Sequence, residues 1–437
     1  MKRSRVLIML LMIMTVVVSG CGNGNGNGNG SESSSDNSSE AGGKTKVTFM
    51  TWEGQDMNNK IVEAMKTFEE QNPDIDVELI PSPIDDYGTK INAMISAKEA
   101  PDIFMVGNDM AINLGSDGVL YDWKKETDAD PDFISQFFPG SVEAYSKDGK
   151  QYGLPGLLNV YGIFYNKKAF TDAGIAEPKA GWTYTEMLEA AQKLSNKDKK
   201  QFGLFMDAYD PFVFSLYSVS AGGAPFADSI TDVTKVEISP QFIEGVELFK
   251  KYAQSGAITP PDYKVDNVMG IFKAGQLPMA RQGQWVADDL IRNASDSVDW
   301  GFAPYPVVNS ETSTLDAVGW ASPATIKNPA AVWKVLKYLD GEMYTKVLPE
   351  TPVAPAAFQP AAKAYFDKLN SSGHEDLAKG VESMLNADKQ PIRFLESFSG
   401  KANPFVDATF KKVIKGELET SALNDMADKI NNVISKK

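Results

Sequence analysis

An α/β protein of two doubly wound lobes is the fold class this sequence predicts. Three observations carry the prediction: the length, a run of apolar strands alternating with amphipathic helices from Lys46, and a second such run after Gly153. At 437 residues the chain suits two or three globular units. The first run reads VTFMTW as a strand, then a helix over 56–71 with Ile61, Met65 and Phe68 on one face, then DVELI as a strand. A helix over 85–98 follows, with Ile91, Met94 and Ile95 inward, and DIFMV is the third strand. Asn72-Pro73 and Ala100-Pro101 end the two helices, because proline disfavours helix at the residue before it. Strands this continuously apolar between amphipathic helices specify a parallel sheet covered on both faces.

The second run opens with IFYN as a strand. A helix over 183–194 starts at the capping box Thr183-Tyr184-Thr185-Glu186 and aligns Met187, Ala191 and Leu194. Ser239 and Pro240 start another, with Phe242, Val246, Phe249 and Ala253 on one face until Gly256. Near the C-terminus, 404–415 and 423–434 each carry a helical stripe, the latter through Leu423, Met426, Ile430 and Val433. No internal repeat is visible.

Lys2, Arg3 and Arg5 precede an apolar run over 6–18, shorter than the roughly 20 residues a helix needs to cross a bilayer. Residues 1–20 therefore read as a signal peptide. Val18-Ser19-Gly20-Cys21 resembles the bacterial lipobox, which implies cleavage before Cys21 and a lipid on that cysteine. GNGNGNGNG and SESSSDNSSEAGG then make 21–44 a flexible tether.

With 43 Lys+Arg against 58 Asp+Glu the net charge is −15, and removal of 1–20 takes it to −18, which argues against a nucleic-acid partner. Cys21 and His374 are the sole cysteine and histidine, so zinc sites, Cys-x-x-Cys chemistry and a Cys–His dyad lack residues. Asp128, Asp130 and Asp132 alternate as in a calcium loop, yet Phe133 and Pro139 stand where glycine and the bidentate acid belong. His374 sits in a polar stretch and reads as solvated. No cofactor is expected.

Ligands of open parallel sheets bind outside the carboxyl ends of the strands. In the first lobe these ends carry Trp52-Glu53 and Gly107-Asn108-Asp109, an indole with carboxylates and an amide, suited to a ligand with apolar faces and hydroxyl edges. Core packing for Trp52 and helix capping for Asn108 and Asp109 are the alternatives.

Several segments resemble one family, the extracellular solute-binding proteins of carbohydrate ABC importers. GKQYGLPGLLNVYGIFYNKKAFTDAGIAEPKAGWTYTEMLEAAQKL, PDIFMVGNDMAINLGSDGVLYDW, FKAGQLPMARQGQW and GWASPATIKNPAAVWKVLKYL occur in the family's order. One departure is Gly181 where a threonine precedes the tryptophan, although Thr183 can still cap the helix. The resemblance implies two lobes joined by a hinge, a type II periplasmic-binding-protein-like fold with crossovers near 154–161 and 305–308. Lobe 1 is then 45–155 and 306–350, and lobe 2 is 156–305 and 351–437. It implies hinge closure on a carbohydrate without chemistry, an importer permease as partner, membrane attachment through Cys21, and a monomer.

By position in those motifs Trp285 and Trp320 join Trp52 as aromatic platforms, and Tyr161 lies in the crossover. Glu53, Asn108, Asp109, Asn159, Asp210 and Gln284 lie near strand ends or platforms and are the candidate polar partners. Arg393 falls where the family's late chain approaches the cleft. Asp210 could instead only cap the helix it opens. Trp123, Trp182, Trp300 and Trp333 read as structural. Two other functions stay open: a surface glycosidase built on Glu53 and Asp109, and the same fold binding a peptide, polyamine or metal chelate.

Overall fold

Strand-forming segments are where the apolar runs place them, but they belong to two sheets. The computed structural model describes residues 43–229, 233–265, 267–293, 298–314, 316–387, 389–390 and 396–435. The predicted leader, Cys21 and Arg393 lie outside them. Nine strands carry the two main sheets: β1 (Thr45–Thr51), β2 (Ile75–Pro81), β3 (Ile103–Gly107), β4 (Leu154–Asn159), β5 (Tyr161–Asn166), β6 (Leu204–Phe205), β7 (Met279–Gly283), β8 (Trp300–Ala303) and β9 (Asp316–Ala321). The first sheet has the order β2-β1-β3-β9-β4, the second β8-β5-β7-β6.

Neither sheet is wholly parallel, which corrects the simplest form of the expectation. In the first, β1 runs parallel to β2 and β3 as predicted, whereas β9 is antiparallel to both β3 and β4. The reason is the route of the chain. β4 ends at the side where β1 and β3 end, and Val160 alone separates it from β5 in the other sheet. Residues 304–314 bring the chain back to that same side, so β9 must run away from it. In the second sheet β5 pairs antiparallel with β7 and β8, and only β6 and β7 are parallel.

Helix ends follow the local signals. Thr183 Oγ1 accepts from Glu186 N at 3.1 Å while Glu186 Oε2 accepts from Thr183 N at 2.6 Å, the reciprocal box that starts Tyr184–Leu194. Ser239 caps Pro240–Ser255, and Gly256 closes that helix at φ 81°. The helix predicted from 404 runs Glu396–Lys415 with Pro404 inside it. On its last partner, Ala422–Ile434, Leu423, Met426, Ile430 and Ile434 are buried, and Val433 is only half-buried.

Apolar side chains form two cores. One surrounds the first sheet and continues onto the β8 side of the second through Phe164, Phe302 and the helix Glu375–Asn386. The other holds the helices on the opposite face of the second sheet, where Phe214 and Phe410 stack at 5.5 Å. Segment 351–371 and residues 156–159, both assigned to the second lobe from the sequence, join the first sheet: in its strand β4, Leu158 N donates to Pro355 O at 2.9 Å, and Ala357 N donates to Gly156 O at 2.8 Å. His374 is not merely solvated. Its ring stacks on Trp300 at 4.8 Å, and burial lowers its pKa.

Candidate ligand site between the sheets

Thr51 ends β1 with its hydroxyl donating to Asn58 Oδ1 at 2.7 Å, and Asn58 Nδ2 donates to Glu53 O at 2.7 Å. These bonds fix the backbone that presents Trp52 and Glu53. Trp52 is half-buried, its ring edge-on to Tyr87 at 4.9 Å and 90°. Tyr87 is itself tied by its hydroxyl to Met105 O at 2.8 Å, so the indole rests on a rigid support. Asn108 and Asp109 open the helix Asn108–Ser116 just past β3. Asn108 is buried, with Oδ1 3.5 Å from Ala317 N, and Asp109 is half-buried.

On the second sheet Tyr161 begins β5, and its ring meets Trp285 edge-on at 5.2 Å and 84°. Trp285 is 37% exposed, one of few large apolar side chains left open. Gly283 explains how the indole lies there: a Cβ on residue 283 would fall 2.0 Å from Trp285 Cζ3. The Gly-Gln-Trp spacing thus has a physical meaning, a bare backbone on which the ring two residues later lies down. Beneath Tyr161, the Arg281 guanidinium is 4.8 Å from the ring centroid, hydrogen-bonded to Asp207 and to the Tyr305 hydroxyl.

The two faces approach each other. Arg292, on the helix Val286–Asn293 that follows Trp285, donates Nη1 to Asp56 Oδ2 of the first lobe at 2.7 Å and Nε to Asp288 Oδ2 at 3.0 Å. Glu53 senses the same helix: burial, and secondly the Asp288 carboxylate, push its acid up to about 7. Burial likewise raises Asp288, partly offset by Arg292.

Trp52 and Glu53 thus follow β1 of the first sheet, Tyr161 and Trp285 pair on the second, and Arg292–Asp56 and the Asp288–Glu53 interaction link the two sides; Asn108 and Asp109 stand at the next strand end of the first sheet. Three other expectations change. Trp320 is fully buried in β9 between Met105 and Leu154, edge-on to Phe49 at 6.1 Å, and is core rather than platform. Gln284 is fully buried and its amide is spent on the crossover: Oε1 accepts from Val160 N at 2.7 Å and Nε2 donates to Leu158 O at 3.3 Å. Asp210 caps the helix Pro211–Ser220 by accepting from Val213 N at 3.0 Å, and burial raises its pKa. Asn159 keeps its expected place, half-buried at the end of β4 opposite Asp316 of β9.

Sequence reasoning missed Arg281, Asp207, Phe212 and the Asp56–Arg292 pair. A charged residue following Met279-Ala280 in a strand was the available signal for Arg281. Trp123, stacked on Trp333 at 5.5 Å, and Trp182, whose Nε1 donates to Pro304 O at 2.9 Å, are structural as expected. Among the described residues no cluster of three or more His, Cys, Asp or Glu is arranged to hold a metal, and no helix is long and apolar enough to cross a membrane.

The chain is 23% identical over 412 residues to the maltodextrin-binding protein of Bacillus subtilis (strain 168), covering 92% of this chain and 93% of that one. With the maltotriose-binding protein of Pyrococcus abyssi (strain GE5 / Orsay) it shares 24% identity over 275 residues, 60% of this chain and 56% of the other. An ABC substrate-binding protein from Listeria monocytogenes, solved in complex with cycloalternan, matches with a TM-score of 0.76 at 23% identity, over 90% of this chain and 99% of that one. It shares the two-lobed type II fold. The pattern of the bacterial extracellular solute-binding proteins runs through residues 63–365, and the chain belongs to that family of binding proteins, not enzymes.

Proposed function

We propose that this protein captures a carbohydrate, most simply an oligosaccharide, between its two sheets and delivers it to the permease of an ABC importer. Residues 1–20 direct export, the lipid on Cys21 holds the protein at the outer face of the cell membrane, and residues up to 44 tether it. It acts as a monomer that clamps ligand by closing one lobe on the other.

The observation that supports this reading is the open Trp285 ring set against Tyr161, on the helix side where Arg292 reaches Asp56, three to four residues beyond Trp52 and Glu53. Sugar rings offer C–H faces to aromatic surfaces and hydroxyls to carboxylates and amides. Trp285 supplies an open aromatic surface, and Glu53, Asn108 and Asp109 supply polar groups. The names of the maltodextrin- and maltotriose-binding relatives support the same ligand class.

A ligand that binds only the folded state raises the unfolding midpoint with its concentration. Maltotriose, cycloalternan and a series of other saccharides should raise it, with peptides and polyamines as controls. A rise with a control and none with any saccharide would remove the carbohydrate claim while leaving the family intact. Attachment is tested separately: radiolabelled fatty acid should label the protein but not Cys21→Ala, and equal labelling of the two would contradict lipidation at that residue.

A further inference from the structure

We propose that Arg281 is a positioning residue for the ligand platform: its guanidinium, locked beneath Tyr161, fixes the ring pair Tyr161–Trp285 in the orientation that stacks on ligand. The inference rests on the carbohydrate site proposed above and adds a residue that does not itself face the cleft.

Arg281 lies in the middle of β7, opposite Ile163 of β5, two residues before Gly283, which pairs with Tyr161. Residues two apart on a strand share a face, so Arg281, Gly283 and Tyr161 line the same side of the sheet. Arg281 is 2% exposed. Its Nε donates to the Tyr305 hydroxyl and its Nη1 to Asp207 Oδ1, and both partners come from outside β7. The guanidinium also lies 5.7 Å from the Phe212 ring, and Phe212 in turn meets Tyr161 edge-on at 5.8 Å.

Burying a guanidinium is costly unless it is paired and hydrogen-bonded, so a positive charge kept here must be held in one geometry. Its planar fork satisfies two partners at once and leaves its face to the Tyr161 ring, an arrangement a lysine cannot copy. Tyr161 is thereby braced from below by Arg281 and from the side by Phe212. Trp285 is braced by Tyr161 on one side and by the bare backbone of Gly283 underneath. Arg281 acts on ligand through Tyr161, by keeping the platform rigid before ligand arrives.

The test compares Arg281→Lys and Arg281→Met with the unaltered full chain by two readouts. The first needs no ligand: acrylamide quenching of the Trp285 fluorescence, isolated by subtraction of the Trp285→Phe spectrum. The second is affinity for maltotriose. Quenching should rise in both variants, and affinity should fall about tenfold. Lysine should fail to restore either readout while keeping the unfolding midpoint closer to that of the original protein than methionine does. Unchanged quenching in both variants, or full rescue by lysine, would reduce Arg281 to a charge balancing Asp207 and overturn the proposal. Raised quenching in a protein that ignores every saccharide would leave the positioning role standing and remove the carbohydrate reading instead. Should Arg281→Met not fold, Tyr305→Phe removes one hydroxyl partner of the guanidinium and must raise the same quenching.

Discussion

At the scale of residues, exposure decides which aromatic is open to a ligand. Trp285 and Trp320 both follow a glycine-containing motif, yet one is 37% open and the other fully buried. Sequence spacing marks that a tryptophan is near a strand but not which neighbours flank that strand, and β9 happens to lie inside its sheet. Trp285→Ala should therefore weaken saccharide binding by about 1–3 kcal/mol with little loss of stability, as seen by titration calorimetry. An equal affinity in the mutant would remove the platform. Glu53 makes a separate prediction about pH. Its acid ionises near 4.5 when unperturbed and near 7 in the folded protein. Between those values the unfolded chain has released the proton and the folded chain retains it, so stability declines as pH rises through that window and levels above it. Glu53→Gln should flatten this part of the midpoint-against-pH curve, and an unchanged slope would show that another group causes it.

At the scale of elements, the signals that act within one turn of chain were legible and those that act across the fold were not. The Thr183 box and the Ser239–Gly256 helix limits are bonds between residues a few positions apart, so spacing alone reveals them. Gln284 is the opposite case. Its amide serves the backbone of Leu158 and Val160, more than a hundred residues away, at the single-residue link between β4 and β5. A candidate ligand contact thereby becomes the fastening of the crossover. Gln284→Ala strips Val160 N of its side-chain acceptor in a buried setting, which should cost about 1–3 kcal/mol of folding stability, measured by urea unfolding. If the residue instead served ligand alone, stability would hold and affinity would collapse.

At the scale of the molecule, two lobes and their alternating elements could be read from apolar periodicity because burial on both faces leaves continuous strands. The antiparallel β9 and the attachment of 351–371 to the first sheet could not, since both depend on where the chain re-enters after leaving. The same route explains why the candidate site lies where it does: β4 ends there, β5 and β9 begin there, and the helices that follow Trp52 and Trp285 meet through Asp56 and Arg292. That exposed ion pair contributes little by itself, about 0–1 kcal/mol, beside the apolar core that continues from the first sheet onto the second. A crystal structure of the protein with maltotriose or cycloalternan would locate the ligand outright. The account predicts the sugar between the Tyr161–Trp285 pair and the Trp52–Glu53 loop, with its ring faces on the indole of Trp285. Sugar bound elsewhere, with Trp285 left bare, would contradict it.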